Sequence, residues 1–298
     1  MINIDKANAG SQRWIGGVLV LISAAAYGGM AIFARMAYTD GVDTFSLLFL
    51  RFSIAAVFVL AYMALKRIHF PRGKVLLGYG LMGALGYVGQ SSSYFSALKY
   101  ASAGLVALLL YLYPVLVTVL EIVIEKKPLT RQKLLALALS FFGTVLTIGP
   151  QLVGQPLGVL LGISAATIYS VYILVGNRLS GKADVISSSA TVMGAAALVF
   201  GGVVSIRGLQ LPASNMGWCA VFAIVFLCTI LAMITFLAGL ERVGATNAAM
   251  LSTFEPVTTI VLAWLVLGEQ MTFMRILGGL LILLAVFILA RGELKQGS

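Results

Sequence analysis

The sequence contains few charged residues. Only 10% of its 298 residues are Asp, Glu, Lys or Arg, whereas 60% are hydrophobic. An average soluble domain carries about 25% charged residues, so the composition excludes an ordinary soluble globular protein. Apolar stretches of about 20 residues recur between short polar breaks, and each could cross a hydrocarbon core about 30 Å thick. The sequence therefore predicts a multi-pass membrane protein.

Side chains suited to catalysis are also scarce. The single histidine, His69, falls in a predicted loop, so no second histidine is present for a metal pair or a catalytic dyad. The aspartates lie in loops or at the ends of spans, at Asp5, Asp40, Asp43 and Asp184. Hydrolysis inside a membrane requires a Ser–His pair, an aspartate pair or metal ligands. We therefore expect no enzyme, no metal and no cofactor, and the absence of a continuous polar stripe disfavours a channel.

The two cysteines, Cys219 and Cys228, are nine positions apart in one predicted span. At 1.5 Å per residue this places them about 13 Å apart along a helix, which is too far for a disulfide. Both are predicted to be core residues.

Hydropathy predicts an all-α integral membrane protein with ten spans. Their approximate extents are 14–36, 44–65, 74–98, 101–124, 131–149, 156–178, 184–206, 215–240, 245–266 and 273–291. The first apolar run is long and lacks a convincing cleavage site, so we expect it to remain as the first span.

The net charge of +10 raises the possibility of nucleic-acid binding, but the basic residues are distributed unevenly across the membrane. With both termini on one side, that side receives 15 of the 20 Lys and Arg residues, the other side receives four, and Arg51 lies inside a span. Positive charge concentrates on the cytoplasmic side of membrane proteins. We therefore predict cytoplasmic termini, and nucleic acid is not required to explain the charge.

The chain repeats itself. The stretch Ala97–Pro114 returns 142 positions later as Gly239–Pro256, and each copy places a proline inside an apolar run. Gly17 and Gly158 open a second matched pair, at an offset of 141. The predicted units are residues 14–149 and 156–291, with five spans each. Since five is odd, the second unit must be inverted, an arrangement typical of transporters.

The third span carries a polar stripe at helical spacing, formed by Tyr87, Gln90, Ser91 and Tyr94. Lipid offers no hydrogen-bond partners, so this stripe should face protein or water. It could serve hydrogen bonding between helices or contact with a substrate. By the repeat offset, Tyr94 corresponds to Phe236.

The ninth span contains Glu255 near mid-membrane, beside Pro256 and on one helical face with Ser252 and Thr259. A carboxylate at this depth is costly and is a candidate functional group, although a structural role remains open. Its repeat counterpart is Tyr113, so the two units differ chemically at this point.

Two further charged residues have alternative interpretations. Arg51 could extend to the membrane interface or turn inward to a carboxylate. Glu121 is predicted to pair with Lys126 or Lys127 at the cytoplasmic surface.

The central cavity is predicted to lie between the two units. Its predicted lining is Tyr27, Tyr87, Gln90, Ser91, Tyr94 and Tyr111 from the first unit, and Thr167, Tyr169, Phe236, Ser252 and Glu255 from the second. Pro114 and Pro256, which cannot donate a backbone hydrogen bond, are the predicted hinges.

These residues resemble the drug/metabolite transporter superfamily, and in particular the EamA-type ten-helix exporters. The matching positions are Tyr27–Gly29, Leu50–Phe52, Ala97–Pro114, Gly239–Glu241, Gly244, Ala245, Glu255, Pro256, Gly268, Glu269, Thr272 and Gly278. One departure is Glu125–Lys127, where the family commonly has Gly-Glu. The chain is most similar to the YddG-type amino-acid exporters. The resemblance implies a protein of the bacterial inner membrane that moves amino acids outward.

We therefore predict a secondary transporter that exports small metabolites, and amino acids in particular, by alternating access. It is expected to act as a monomer surrounded by lipid, and Glu255 raises the possibility of proton coupling. The alternatives are a proton-independent facilitator, an exporter of other metabolites or drugs, and a membrane scaffold without transport.

Overall fold

The structure is a computed structural model, and the residues that it describes are 2–126, 130–149, 153–268 and 270–296. They form ten helical stretches, which confirms the all-α prediction. Within this part of the chain, nine stretches are long and apolar enough to cross a membrane. The other stretch, residues 73–97, carries the predicted polar stripe of the third span.

Several of the ten stretches consist of more than one helical segment. The first five are α1 (Ile2–Gly28) with α2 (Met30–Thr39), α3 (Thr44–Lys66), α4 (Gly73–Leu81) with a π-helical segment (Met82–Tyr87) and α5 (Val88–Ala97), α6 (Ala103–Leu110) with α7 (Tyr113–Glu125), and α8 (Arg131–Ile148). The second five are α9 (Pro156–Leu179), α10 (Val185–Arg207), α11 (Asn215–Val225) with a π-helical segment (Phe226–Leu231) and α12 (Ala232–Val243), α13 (Ala245–Ser252) with α14 (Glu255–Leu267), and α15 (Phe273–Gln296).

Ten crossings bring both ends of the chain to one end of the bundle, which we name the terminus end. The opposite end, with loops 40–43, 98–102 and 208–214, is the far end. The far-end loops are tied by hydrogen bonds, because the Asp40 carboxylate accepts from the Ser214 backbone N–H at 2.9 Å. The hydrogen bonds from Ser214 lower the pKa of Asp40 below its usual value.

Polar side chains at the helix starts explain where several helices begin. Asp43, Ser102, Thr130, Asp184 and Ser214 each accept a hydrogen bond from a backbone N–H in the first turn of the following helix. Such caps satisfy donors that have no partner within the helix.

The helices of the two halves pack across one another. The main pairs are α1 with α12, α5 with α9, α3 with α10, and α8 with α15. Each pair joins one helix from each half. Because α1 corresponds to α9 and α12 to α5 by the repeat offset, the first two pairs are the same contact made twice. The core of the protein is therefore shared between the halves.

The prolines stand at helix breaks in corresponding places. The helix α6 ends at Leu110 and α7 begins at Tyr113, so that Pro114 is the second residue of α7. In the second half α13 ends at Ser252 and α14 begins at Glu255, again with the proline second. A proline is tolerated at such a position because the first turn of a helix needs no internal N–H partner.

The burial of the two cysteines agrees with the prediction at one position and differs from it at the other. Cys228 is buried as predicted, but Cys219 is exposed, because it lies on the outward face of α11.

Glu121 is buried and accepts hydrogen bonds from the backbone N–H and the hydroxyl of Thr246. The predicted pairing of Glu121 with Lys126 or Lys127 stays a prediction, and Lys127 lies outside the described residues. The side chains of Glu125, Glu269 and Arg291 also lie outside the described part.

Close glycine contact joins α8 to α15. A Cβ atom built on Gly278 would clash with the Gly143 carbonyl oxygen and would lie 2.8 Å from the Thr147 backbone nitrogen, whereas a Cβ on the adjacent Gly279 would meet nothing within 4 Å. Small residues permit such close approach of membrane helices.

We predict that Gly278→Ala lowers the apparent melting temperature of the detergent-solubilised protein. Forcing a methyl group into this contact should cost about 1–3 kcal/mol. The matched control is Gly279→Ala, one residue away on the same helix, which should leave the melting temperature unchanged or slightly higher. Equal effects of the two variants would contradict the glycine contact.

Candidate functional site

A large cavity lies where the helix breaks of the two halves meet. Its volume is about 640 Å³, which is within the usual range of small-molecule sites. The wall is formed by residues of α1, α2, α3, α5, α6, α9 and α14, and therefore by both halves. At the far end its lining includes Arg35 and Tyr38, which are exposed, so the cavity is accessible from that end.

Tyrosines form the floor of the cavity. Tyr113 packs edge-on against Tyr169 with the ring centroids 4.8 Å apart, and Tyr111 lies beside Tyr113 at 6.4 Å. Tyr169 stacks on Tyr172, which in turn packs edge-on against Tyr87. Edge-on and offset aromatic pairs at these separations are favourable beyond the area they bury.

Below this floor, toward the terminus end, the side chains are tightly packed. Tyr172 is 4% exposed, Phe236 is 3% exposed and Leu240 is completely buried. The cavity is thus closed on the terminus side.

Arg51 is the buried cation of the cavity, with only 3% of its surface exposed. Its Nε donates to the Thr229 hydroxyl at 2.6 Å, and its Nη2 donates to the Tyr87 hydroxyl at 2.8 Å and to the Cys228 carbonyl at 3.2 Å. The guanidinium also lies 5.3 Å from the centre of the Tyr87 ring. Arg51 therefore turns inward, so extension to the membrane interface is wrong, but its described hydrogen-bond partners are neutral groups and not the carboxylate of the other alternative.

The two π-helical segments explain how Arg51 is held. Tyr87 is the last residue of the first segment, while Cys228 and Thr229 belong to the second. The Thr229 hydroxyl donates to the Ile224 carbonyl five residues back, at 2.9 Å. A π-helical turn shifts the backbone hydrogen bonds by one residue and commonly occurs at functional sites. Here it turns a carbonyl and a hydroxyl toward the guanidinium.

Glu255 lines the cavity at the first residue of α14. The positive end of the helix dipole stabilises a carboxylate in this position. The carboxylate is within electrostatic range of the Tyr111 hydroxyl and of the Arg51 guanidinium. Glu255 and Arg51 thus line the same cavity without an ion pair between them among the described contacts.

Gly28 sets the distance between α1 and the start of α14. A Cβ at Gly28 would lie 2.7 Å from the Glu255 carbonyl oxygen and from the Thr258 Cβ. The Thr259 hydroxyl donates to the Gly28 carbonyl at 2.9 Å. Only glycine therefore lets the broken end of α1 approach Glu255 this closely.

The structure brings most of the predicted residues together. The cavity is lined by Tyr27, Tyr87, Gln90, Ser91, Tyr94, Tyr111, Tyr169 and Glu255, together with the predicted hinge residue Pro256. Four predicted residues are absent from the lining, namely Thr167, Phe236, Ser252 and the hinge residue Pro114.

Helix geometry and packing explain those four positions. Thr167 is two residues from Tyr169, which places it on the other side of α9, where it is exposed and donates to its own helix. Phe236 is buried below the cavity floor. Ser252 is 6% exposed at the end of α13, and Pro114 is buried next to Tyr113 in the first turn of α7.

The lining also includes residues that the sequence prediction of the cavity did not contain. They include Met30, Arg35, Tyr38, Arg51, Tyr113 and Arg275. Met30 is three residues beyond Tyr27, so helical spacing alone places both on one face. Arg35 and Arg275 are two of the four basic residues predicted on the side opposite the termini, and they lie at the mouth of the cavity.

Neither His nor Cys takes part in a metal-type cluster with acidic side chains in the part of the chain that the structure describes. The arrangement is suited to binding a small molecule. Tyrosine hydroxyls, an amide, a carboxylate and a guanidinium offer both donors and acceptors to a ligand of moderate polarity.

The fold is shared with a known structure. One solved crystal structure aligns with a TM-score of 0.81 and 21% sequence identity, covering 93% of this chain and 98% of that chain.

Relatives by sequence are named as transporters. The uncharacterized transporter YcbK of Bacillus subtilis (strain 168) is 25% identical over 286 residues, and the match covers 88% of each protein. An uncharacterized transporter of Archaeoglobus fulgidus is 26% identical over 280 residues, covering 92% of this chain and 95% of that protein.

The model of the EamA-like transporter family matches this sequence twice, at residues 14–149 and at residues 156–291. The two matches together span most of the chain. This multi-pass membrane protein belongs to the EamA-like transporter family.

Proposed function

We propose that this transporter exports small amphipathic metabolites, and neutral or aromatic amino acids in particular. The observation that carries the proposal is the cavity between the halves, whose tyrosine floor is combined with the Glu255 carboxylate and the buried Arg51 guanidinium. A zwitterion with an apolar side chain matches this combination. The similarity to YddG-type amino-acid exporters points to the same substrate class.

The polar groups of the cavity suit an amino acid. Gln90 and Ser91 lie on the wall, and Glu255 is placed to attract an ammonium group. The aromatic floor offers a surface for an apolar or aromatic side chain. A highly charged substrate fits less well, since most of the lining is neutral.

Transport requires the cavity to open alternately at each end. We propose that units 14–149 and 156–291 rock against one another about Pro114 and Pro256, where the helices are already interrupted. With cytoplasmic termini, the described conformation is open to the outside. Export then begins in the opposite conformation, with the terminus end open. The monomer contains the whole cavity and would be sufficient.

Glu255 supports coupling to protons as a separate proposal. It is the acidic side chain among the cavity residues, and a proton could exchange with the substrate ammonium at this carboxylate. A proton-independent facilitator, with Glu255 serving only to bind substrate, is the alternative.

The proposed function predicts which class of substrate is transported. Proteoliposomes containing the purified protein should accumulate labelled phenylalanine, tryptophan or leucine faster than protein-free liposomes, and should accumulate glutamate and lysine much less, because Arg51 and Glu255 suit a ligand with one charge of each sign.

Gly28→Leu tests whether the cavity is the transport route, since the leucine side chain would separate α1 from Glu255. This variant should lose flux if the cavity is the route. No protein-dependent flux for any amino acid, together with flux of cationic drugs or other metabolites, would contradict the amino-acid proposal. No flux for a broad metabolite panel would favour a scaffold.

The second prediction concerns coupling. Glu255→Gln should abolish the component of amino-acid flux that depends on an imposed pH gradient and should retain downhill exchange, because the amide cannot release a proton. The measurement compares flux with and without the gradient in proteoliposomes.

The matched control is Glu241→Gln, which removes an exposed carboxylate outside the cavity. It should retain the gradient dependence. If Glu255→Gln also retains it, proton coupling at Glu255 is wrong and the facilitator alternative stands.

A further inference from the structure

One nitrogen of the Arg51 guanidinium, Nη1, has only a weak hydrogen-bond acceptor as its partner in the protein. A guanidinium carries five N–H donors. Nε and both hydrogens of Nη2 are directed to oxygen acceptors at Thr229, Tyr87 and Cys228. Nη1 is different, because its partner is the thioether sulfur of Met30 at 3.3 Å.

The described partners of Arg51 are all electrically neutral. A hydroxyl of threonine, a phenol, a backbone carbonyl and a thioether orient the guanidinium without cancelling its charge. Sulfur is a weak acceptor, so the Nη1 edge is poorly satisfied. A charge buried in this way is costly unless it is paired, which favours the arrival of an anion.

The poorly satisfied edge is directed into the cavity. Both Arg51 and Met30 line it, whereas Thr229 and Cys228 lie behind the guanidinium and are absent from the lining. The strong acceptors therefore hold the guanidinium from the back, and its front is available to a ligand.

We infer that the Nη1 edge of Arg51, beside Met30, is a binding subsite for the carboxylate of a small monocarboxylate ligand. In the proposed amino-acid function, on which the identity of the transported ligand rests, this group is the α-carboxylate. The subsite and Glu255 then bind opposite ends of the zwitterion. Charged hydrogen bonds of guanidinium to carboxylate are among the strongest in proteins.

The surroundings favour a monoanion over a phosphate. Arg51 is the one cation at the depth of the tyrosine floor in the described lining, and Glu255 contributes a negative charge to the same cavity. A dianion would be repelled by Glu255 and only half neutralised by Arg51. A monocarboxylate needs only the hydrogens of Nη1, because Nε and both hydrogens of Nη2 are already used by Thr229, Tyr87 and Cys228.

The experiment measures ligand-induced thermal stabilisation of the detergent-purified full chain with three probes at neutral pH. The probes are 3-phenylpropionate, phenethylamine and inorganic phosphate. A ligand that binds the folded state raises the melting temperature, and at a given concentration a tighter ligand raises it more. We expect 3-phenylpropionate to stabilise the wild type, and Arg51→Gln to weaken its apparent affinity about tenfold or more, with little change for phenethylamine.

A second pair of variants leaves Arg51 in place, in case Arg51→Gln does not fold. Met30→Glu puts an internal carboxylate beside Nη1, and Met30→Gln is the neutral side chain of matching size. Affinity for 3-phenylpropionate should be about tenfold weaker in Met30→Glu than in Met30→Gln. If Arg51 has only a structural role, the two Met30 variants respond equally.

The outcomes separate this inference from the proposed function. Stabilisation by 3-phenylpropionate that depends on Arg51 and on the charge at position 30 supports the subsite even if no amino acid is transported. No stabilisation, or equal stabilisation in all variants, overturns the subsite even if amino acids are transported. Stabilisation by phosphate that depends on Arg51 overturns the assignment to a carboxylate.

Discussion

The central constraint on this structure is the burial of a guanidinium in the middle of a membrane protein. Hydrocarbon offers no hydrogen-bond partner, so the chain itself must solvate Arg51. It does so with two π-helical segments, one from each half, which supply the Tyr87 hydroxyl on one side and the Cys228 carbonyl with the Thr229 hydroxyl on the other. Because these contacts come from both halves, solvating the charge also fixes the third and eighth spans on either side of the second. The cavity is the space left in front of that cluster.

The symmetry of the two halves and their differences have separate consequences. Contacts made twice, such as α1 with α12 and α5 with α9, show that the halves share one core and cannot be separate domains in the usual sense. Departures from symmetry lie at the cavity. Tyr113 corresponds to Glu255, and α1 is interrupted near Gly29 whereas α9 is continuous. The repeated contacts provide a framework, and the chemical groups that can distinguish ligands are placed where the copies differ.

The sequence was sufficient for the fold because lipid imposes strong rules. The length of apolar runs, the doubled proline block and the helical spacing of Tyr87, Gln90, Ser91 and Tyr94 each follow from local chemistry. Eight of the proposed cavity residues are indeed gathered around one space. The direction of a side chain around a helix axis was harder to predict from the sequence. Thr167 was therefore predicted in the cavity lining together with Tyr169, although it points to the other side of α9. The partners of Arg51 could not be anticipated at all, since π-helical turns change the register of the backbone and have no known sequence signal here.

The terminus end of the bundle contains a polar contact whose counterpart is missing at the far end. Glu121 accepts hydrogen bonds from the N–H and hydroxyl of Thr246, in the first turn of α13, where the helix dipole also favours a carboxylate. By the repeat offset of 142 positions, the corresponding residues at the far end are Ala263 and Gly104. Exchanging the conformations of the halves would therefore break a charged contact at one end without forming its equivalent at the other. In the proposed alternating-access cycle, this difference would favour the conformation that is open at the far end. Ligand binding at the tyrosine floor, or a change of charge at Glu121, would then have to offset that preference.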